Sequence, residues 1–455
     1  MSESNNKVHL ISLGCPKNTV DSERMLGLLN GNNYEITPDP EDADVVIVNT
    51  CGFIEPAKEE SIDTIIEASR LKGDGGKCRG VIVTGCLSTR YETELKAELA
   101  EEADAVLTLI QEKDIVRHVD QLLGRRRGVY LDGLPRQSST PRHWAYLRIS
   151  DGCDHKCAFC AIPAIRGRHV SEPLEDLVAE AQRLSESGVR ELVLVSQDSV
   201  RYGVDITGRS QLVPLLEQLA AVDGIDWLRL MYTYPAFWTE EMIAFYADHP
   251  KMCKYVDMPL QHIADPVLIR MKRATTKAKT LKLLETFRQR IPGLGIRSSF
   301  IVGFPGETDA EFEDLLAFVE ESRFDNVTCF LYSREEGTSA VDLDGEVAKE
   351  VKEERFRRLT QLQERISVEI NHAMVGECRT VLVDEADGAG GYIGRLERDA
   401  PEIDGRVIIQ PEPMQLLSIG GAESQSSDLV GRFIEAELTG AYPYELMARA
   451  CGRVW

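Results

Sequence analysis

The chain has 455 residues, 43% of them hydrophobic, which is enough for several domains with sizeable cores. No apolar run approaches the roughly 18 residues needed to span a bilayer; no apolar leader follows Met1, and eleven cysteines, an odd number, do not suit the disulfide framework of a short secreted chain, so a cytoplasmic location is expected. A net charge of −23 argues against general affinity for nucleic-acid backbone and leaves two readings open, a basic partner or charge that only maintains solubility.

Residues 6–125 alternate strand and helix. The β-rich runs Val8–Leu13, Val45–Asn49 and Gly80–Gly85, with helical patterns at Asp21–Asn30, Pro56–Ser69 and Tyr91–Ala100, predict an α/β domain with a parallel sheet. Cys15, Cys51 and Cys86 each fall one or two residues past a strand. The carboxyl ends of parallel strands share one edge, and ligands bind there. Gly14, Gly52 and Gly85 beside these cysteines would let the backbone approach a bulky inorganic group. Three buried structural cysteines are the plainer alternative. Their repetition at equivalent strand–helix junctions favours a three-thiolate site.

The segment Arg125–Arg142, with its Arg, Gly and Pro residues, reads as a linker. Residues 139–370 carry expected strands at Ala145–Ile149, Glu191–Val195, Trp227–Met231, Tyr255–Met258, Ile296–Val302 and Asn326–Leu331, which make six βα units of a partial TIM-like barrel. The first strand leads into Cys153-Asp154-His155-Lys156-Cys157-Ala158-Phe159-Cys160. A four-iron cluster wants four thiolates, so CxxxCxxC leaves one iron free for an exogenous ligand. A zinc knuckle or a disulfide is the competing reading, but no second ligand pair follows downstream. Ser196-Gln197-Asp198 leaves the second strand on the same face. Ile301-Val302-Gly303-Phe304-Pro305-Gly306-Glu307-Thr308 leaves the fifth, and its glycines could admit an adenosine. Cys153, Cys157 and Cys160 are therefore the candidate catalytic ligands, with Gln197, Gly303, Gly306 and Glu307 as cofactor-binding candidates.

Residues 372–455 follow a long charged helix ending near Ala373. Strands at Thr380–Asp384, Gly391–Arg395, Arg406–Ile409 and Arg432–Leu438 predict a small antiparallel barrel. Seven Arg and no Lys stand against fourteen Asp plus Glu there, a balance that favours a basic protein partner over RNA. Glu397, Asp399, Glu402 and Asp404 are expected on that docking surface. Cys78, Cys253, Cys329, Cys378 and Cys451 match no cluster motif and read as structural.

The CxxxCxxC run resembles the signature of the radical S-adenosylmethionine (SAM) enzymes, and Phe159 matches the aromatic those enzymes set near the adenine. The order of a three-cysteine α/β domain, a radical SAM barrel and a TRAM-like terminal barrel resembles the methylthiotransferase family over nearly the whole chain. Tyr146-Leu147-Arg148-Ile149-Ser150-Asp151-Gly152-Cys153, Met258-Pro259-Leu260-Gln261-His262 and Asp399-Ala400-Pro401-Glu402-Ile403-Asp404-Gly405 look more like the branch that modifies a ribosomal protein. The resemblance implies two [4Fe–4S] clusters, one held by Cys153, Cys157 and Cys160 and an auxiliary one held by Cys15, Cys51 and Cys86. It also implies SAM as methyl donor and radical source, and methylthiolation at the β-carbon of an aspartate in small-subunit ribosomal protein twelve. An electron donor such as flavodoxin or ferredoxin is implied as well. A tRNA-adenosine methylthiotransferase and a non-enzymatic iron–sulfur carrier are the alternatives, and a carrier has no need of the Gly303–Glu307 turn.

Overall fold

The computed structural model describes residues 6–73, 76–410 and 429–455. Five parallel strands, β1 (Lys7–Ser12), β2 (Glu35–Ile36), β3 (Val45–Thr50), β4 (Gly80–Gly85) and β5 (Ala105–Val106), form the first sheet in the order β2-β1-β3-β4-β5. β3 and β4 are buried at every position, as apolar runs covered on both faces should be. The strand order reverses between β1 and β3, and the crevice at such a switch point is the usual ligand site of an open α/β sheet.

Helix α1 (Pro16–Gly31) starts ahead of its apolar periodicity because Pro16 occupies the first turn, where its missing N–H costs nothing. The helix expected over residues 91–100 is instead two short ones, Cys86–Arg90 and Glu92–Glu98. The chain turns helical directly out of β4, and the two helices break at Tyr91 (φ −130°, ψ 39°). The expected linker is a fixed strap across α1. Arg136 pairs with buried Glu23 (2.6 Å) and with Glu180 (2.8 Å), Leu131 N–H donates to Asn32 (3.0 Å), and Gly27 and Gly31 leave room for Pro135 and Leu134.

The central region contains β6 (Trp144–Arg148), a two-stranded ribbon of β7 (Ser150–Asp151) and β8 (Val170–Ser171), then β9 (Glu191–Val195), β10 (Trp227–Leu230), β11 (Tyr255–Asp257), β12 (Gly295–Val302) and β13 (Asn326–Leu331). Two parallel three-stranded sheets, β6-β9-β10 and β11-β12-β13, meet at a bridge between Leu228 and Met252, giving a partial barrel of six strands. Side chains alternate across it, as strands require. Ala145 and Leu147 pack outward with Leu177 and Leu184 of the covering helix Leu174–Glu186, whereas Trp144 and Tyr146 point to the inner face.

The terminal strands β14 (Cys378–Ala386), β15 (Tyr392–Arg395), β16 (Arg406–Ile409), β17 (Phe433–Tyr442) and β18 (Glu445–Val454) close a barrel in the order β14-β15-β16-β18-β17. All its pairs are antiparallel except β16 with β18. Residues 411–428 of the terminal segment lie outside the described residues. Cys378 and Cys451 form a disulfide, which spacing 73 residues apart did not announce. Cys78 and Cys253 are buried free thiols, and Cys329 is half-buried.

The loop joining β15 to β16 overturns one expectation. Asp399 and Asp404 are not on an acidic docking surface, because the loop packs against the inner face of the partial barrel, where Ala400 joins Tyr146, Trp227 and Tyr255, while Glu402 stays exposed and Glu397 half-buried. Asp404 pairs with Arg297 (3.2 Å) and accepts from the Tyr255 hydroxyl (2.7 Å), and Asp399 is buried. The Glu397 carbonyl accepts from Arg229 (2.7 Å), and Glu402 accepts from the Tyr146 hydroxyl (3.0 Å). Arginines standing on barrel strands need counter-charges when buried, and for Arg297 this loop supplies one in Asp404. Glu191, on β9, is clasped between Arg229 (2.7 Å) and Arg395 of the terminal barrel (2.8 Å). Among the described residues no helix is long and apolar enough to cross a membrane.

Candidate functional site: two cysteine trios

β1, β3 and β4 end at one edge, and Cys15, Cys51 and Cys86 stand immediately beyond them. Cys15 caps α1, so its thiol lies at the positive end of a helix. Gly14 is needed for closeness: at φ +90°, a Cβ there would lie 2.7 Å from the Cys51 Cβ. Gly85, at φ +101°, leads into Cys86 in a conformation side chains rarely adopt. Asn18 locks the crevice by donating to the carbonyls of Leu13 (3.0 Å) and Thr50 (2.9 Å), and its Oδ1 meets the Cys86 thiol at 3.5 Å.

Burial pushes the Cys86 thiol up to about 12, offset in part by Arg166 and reinforced by Cys15 and Cys51, so the three sulfurs sense one another. Burial also raises Cys51. Cys15 moves the other way. Burial would raise it, but the charges of Lys17 and Arg166, with the N–H groups of Asn18 and Lys17, hold it below its ordinary value.

The second trio lies in the loop after β7. Burial pushes Cys153 up to about 11, with Asp198 and Cys157 raising it further, and Cys160 up to about 12, with Cys157 and Cys153 raising it further. Arg273 donates to the Cys157 sulfur at 3.5 Å and lies over the Tyr234 ring at 4.0 Å. His155, inside the loop, stacks on Tyr234 (centroids 4.1 Å apart) and is held by Asp198 (2.6 Å). The half-buried ring of Phe159 meets Phe304 edge-on at 6.5 Å, which sets it against the Gly303–Gly306 turn.

Glu307 has a different place from that of a ligand-binding side chain. Its carboxylate is fully buried and accepts from the N–H groups of Gly303 and Phe304 (3.2 Å for the latter), while His262 (3.3 Å) and Arg355 (3.2 Å) occupy the rest. It shapes the turn in which Gly303 (φ +72°) and Gly306 (φ +76°) present their backbone. Gln197 donates to Asp151 (2.9 Å), and its buried carbonyl oxygen has no protein partner.

One arginine joins the trios. Arg166, almost wholly buried, donates to Asn18 (2.6 Å), Asp21 (2.8 Å) and Asp151 (3.0 Å), and Arg148 also pairs with Asp21. Cys86 packs on Ala161 and Ile165, just past Cys160, so the first trio rests on the chain that leaves the second. A cavity of about 790 Å³ borders this network between α1, the strap and the Leu174–Glu186 helix, and none of its lining residues belongs to either trio.

No three His, Cys, Asp or Glu side chains among the described residues converge on a single metal ion. The trios suit a larger group. A four-iron cube takes one thiolate at each of several corners, and its charge deprotonates thiols that burial would otherwise keep neutral. Thiol-only donors, glycine-cleared approaches and low solvent access all fit such a cluster.

Three family descriptions cover the chain in order: "Uncharacterized protein family UPF0004" at residues 7–108, "Radical SAM superfamily" at 147–319 and "TRAM domain" at 375–451. The protein named ribosomal protein uS12 methylthiotransferase RimO from Desulforamulus reducens is 44% identical over 452 residues, 97% of this chain and 98% of that one. The RimO of Heliobacterium modesticaldum is also 44% identical, covering 98% and 95%. This chain belongs to the RimO family of radical SAM methylthiotransferases. The RimO of Geobacter sulfurreducens, at 42% identity, covers 95% of this chain and is itself covered in full. Among solved structures, the radical SAM methyltransferase TsrM from Kitasatospora setae matches with a TM-score of 0.52 at 16% identity, over 85% of this chain and 82% of that one, a likeness of fold alone.

As a RimO-family enzyme the chain uses SAM and [4Fe–4S] chemistry. Sequence reasoning missed Asn18, Lys17, Arg166, Tyr232, Tyr234 and Arg273 around its trios. Only Lys17 and Asn18 had a signal, their position in the turn after Cys15. Arg166 follows Cys160 by six residues with no motif to mark it, and Tyr232, Tyr234 and Arg273 arrive from distant strands and loops.

Proposed function

We propose that this enzyme methylthiolates ribosomal protein uS12 at the β-carbon of an aspartate, with Cys153, Cys157 and Cys160 holding the SAM-binding cluster and Cys15, Cys51 and Cys86 an auxiliary one. The observation that carries the reading is the gathering of Cys15, Cys51 and Cys86 at one sheet edge, with Cys86 packed on the chain that leaves Cys160, in a RimO-family chain. When bound, SAM and the two clusters supply the methyl group, the sulfur site and the radical that removes an unactivated C–H hydrogen, chemistry that acid–base side chains cannot provide.

The chain's own residues do the positioning. The Gly303–Gly306 turn, braced by Glu307, and the Phe159 ring offer backbone and an aromatic edge to an adenosine. The Gln197 carbonyl is free to accept a hydrogen bond from a ligand beside Asp151. Arg166 ties Asn18 and Asp21 of the first trio's helix to Asp151, two residues before Cys153, and so braces the segments that carry the two trios. The acidic balance of the terminal barrel argues against tRNA, although the Asp404 charge of its loop is spent internally on Arg297. A flavodoxin or ferredoxin as electron donor and a cytoplasmic location accompany this reading.

Anaerobic reconstitution should load roughly eight irons per chain and about half that in the Cys15→Ala/Cys51→Ala/Cys86→Ala variant, following the three-thiolate logic. Mass spectrometry of uS12 and of tRNA from cells lacking the protein tests the substrate. Loss of a methylthio group from tRNA alone would refute the choice of uS12.

A further inference from the structure

Six Lys or Arg residues are buried over the whole residue among the described residues, Lys17, Arg148, Arg229, Arg273, Arg355 and Arg395, while the buried side chains of Arg90, Arg136 and Arg166 all face carboxylates. Four of the six have carboxylate partners, Arg148 with Asp21, Arg229 with Glu191, Arg355 with Glu307, and Arg395 with Glu191 and Asp384. The two without one are Lys17 (7% exposed) and Arg273 (9% exposed), and each stands at one of the trios. Lys17 is two residues past Cys15, and Arg273 donates to the Cys157 sulfur.

Their settings match. The Lys17 ammonium lies 3.4 Å from the centroid of the Tyr232 ring, and the Arg273 guanidinium 4.0 Å from that of Tyr234. Both rings come from the segment just after β10. Tyr232, at φ +60°, is pinned by its N–H to Asp257 (3.0 Å) and by its carbonyl to Ser199 N–H (3.0 Å), and the Tyr234 hydroxyl accepts from Ala274 N–H (2.9 Å). A cation over an aromatic face is partly compensated, but a buried charge without an opposite charge is costly. An arrangement that keeps two such cations, both beside thiol trios, implies that anions complete them.

We propose that Lys17 and Arg273 are dedicated counter-charges, one for each trio, that set the reduction potential of the cluster each faces. The inference rests on the assignment of both trios as cluster ligands. An oxidised four-iron core brings less positive charge than three thiolates bring negative, so each loaded trio is anionic and becomes more so on reduction. A fixed cation at each site favours that reduced state, since net charge and contacts to the sulfurs govern such potentials.

The test uses full-length protein in two backgrounds, one with Cys15, Cys51 and Cys86 replaced by Ala and one with Cys153, Cys157 and Cys160 replaced by Ala, so that a single cluster is titrated at a time by electron paramagnetic resonance. Lys17→Met should disfavour reduction of the auxiliary cluster about tenfold, a shift of about 59 mV to more negative potential, and leave the other cluster unchanged. Arg273→Met should do the reverse. Lys17→Arg should restore most of the shift, and Lys17→Gln serves if the Met variant fails to load. Equal potentials in variant and parent, or a shift in the wrong cluster, would overturn the proposal. A background with both cations intact that binds no cluster would instead overturn the ligand assignment beneath it.

Discussion

Replacing Glu191 by Gln should loosen the terminal barrel from the partial barrel. Glu191 has no exposed side-chain surface and compensates two guanidiniums, Arg229 at 2.7 Å and Arg395 at 2.8 Å. After the change Arg395 keeps Asp384 (2.7 Å), but Arg229 keeps no carboxylate, only the Glu397 carbonyl, the Gln amide oxygen and the Tyr255 ring (4.9 Å), so one buried charge is left without an opposite one. Breaking a buried pair from one side costs about 3–5 kcal/mol, and the retained amide oxygen places this case near 3. Trp144 and Trp227 lie on the inner face of the strands and should report undocking through fluorescence during anaerobic urea unfolding. Glu240→Gln is the control, because its 2.9 Å pair with Arg290 is exposed and should be silent. A Glu191→Gln protein within about 1 kcal/mol of the parent would refute the view that this triad holds the barrels together.

Cys157→Ala should abolish release of deoxyadenosine from SAM, measured by chromatography, while retaining the auxiliary cluster's iron; release at the parental rate would remove the radical assignment. Burial holds the Glu112 carboxyl up to about 8, against an ordinary value near 4.5. The native state therefore keeps a proton that the unfolded chain loses, and stability falls as pH rises from about 4.5 to 8. Glu112→Gln removes this dependence while an amide oxygen can still accept from Thr84, so its stability advantage over the parent should grow through that window in denaturant titrations. Asp404→Lys should destabilise the protein at every salt concentration, since its partner Arg297 is largely buried and screening ions do not reach the pair; an effect seen only at low salt would return Asp404 to a docking surface.

The parts legible in the sequence were those with local causes. The unbroken apolar runs of β3 and β4 mark strands covered on both faces, and cysteines just past strand ends must share an edge once the sheet is parallel. Cys153 to Cys160 declare a three-thiol loop by spacing alone. The rest depended on contacts between distant residues. Nothing near Asp404 in the chain shows that Arg297, on a distant barrel strand, will need its charge, so an internal joint resembled an acidic surface. Glu307 looked like a cofactor contact because its neighbours are glycines, yet His262 and Arg355, 45 and 48 residues away, claim its carboxylate. Tyr91 offers no Pro or Gly to announce the break between its two helices.

The loop that covers the inner face of the six-stranded barrel also imposes an order on biosynthesis. All six strands have been made by Leu331, but Ala400 and Asp404, which fill and neutralise their inner surface, emerge only after the 25-residue Lys349–Ala373 helix. A nascent chain must therefore hold Trp144, Trp227 and Arg229 uncovered until the terminal segment arrives. A truncated chain ending before residue 396 would keep every cysteine of both trios and still lack the cover on which their scaffold closes, making it a client for chaperones rather than a smaller enzyme.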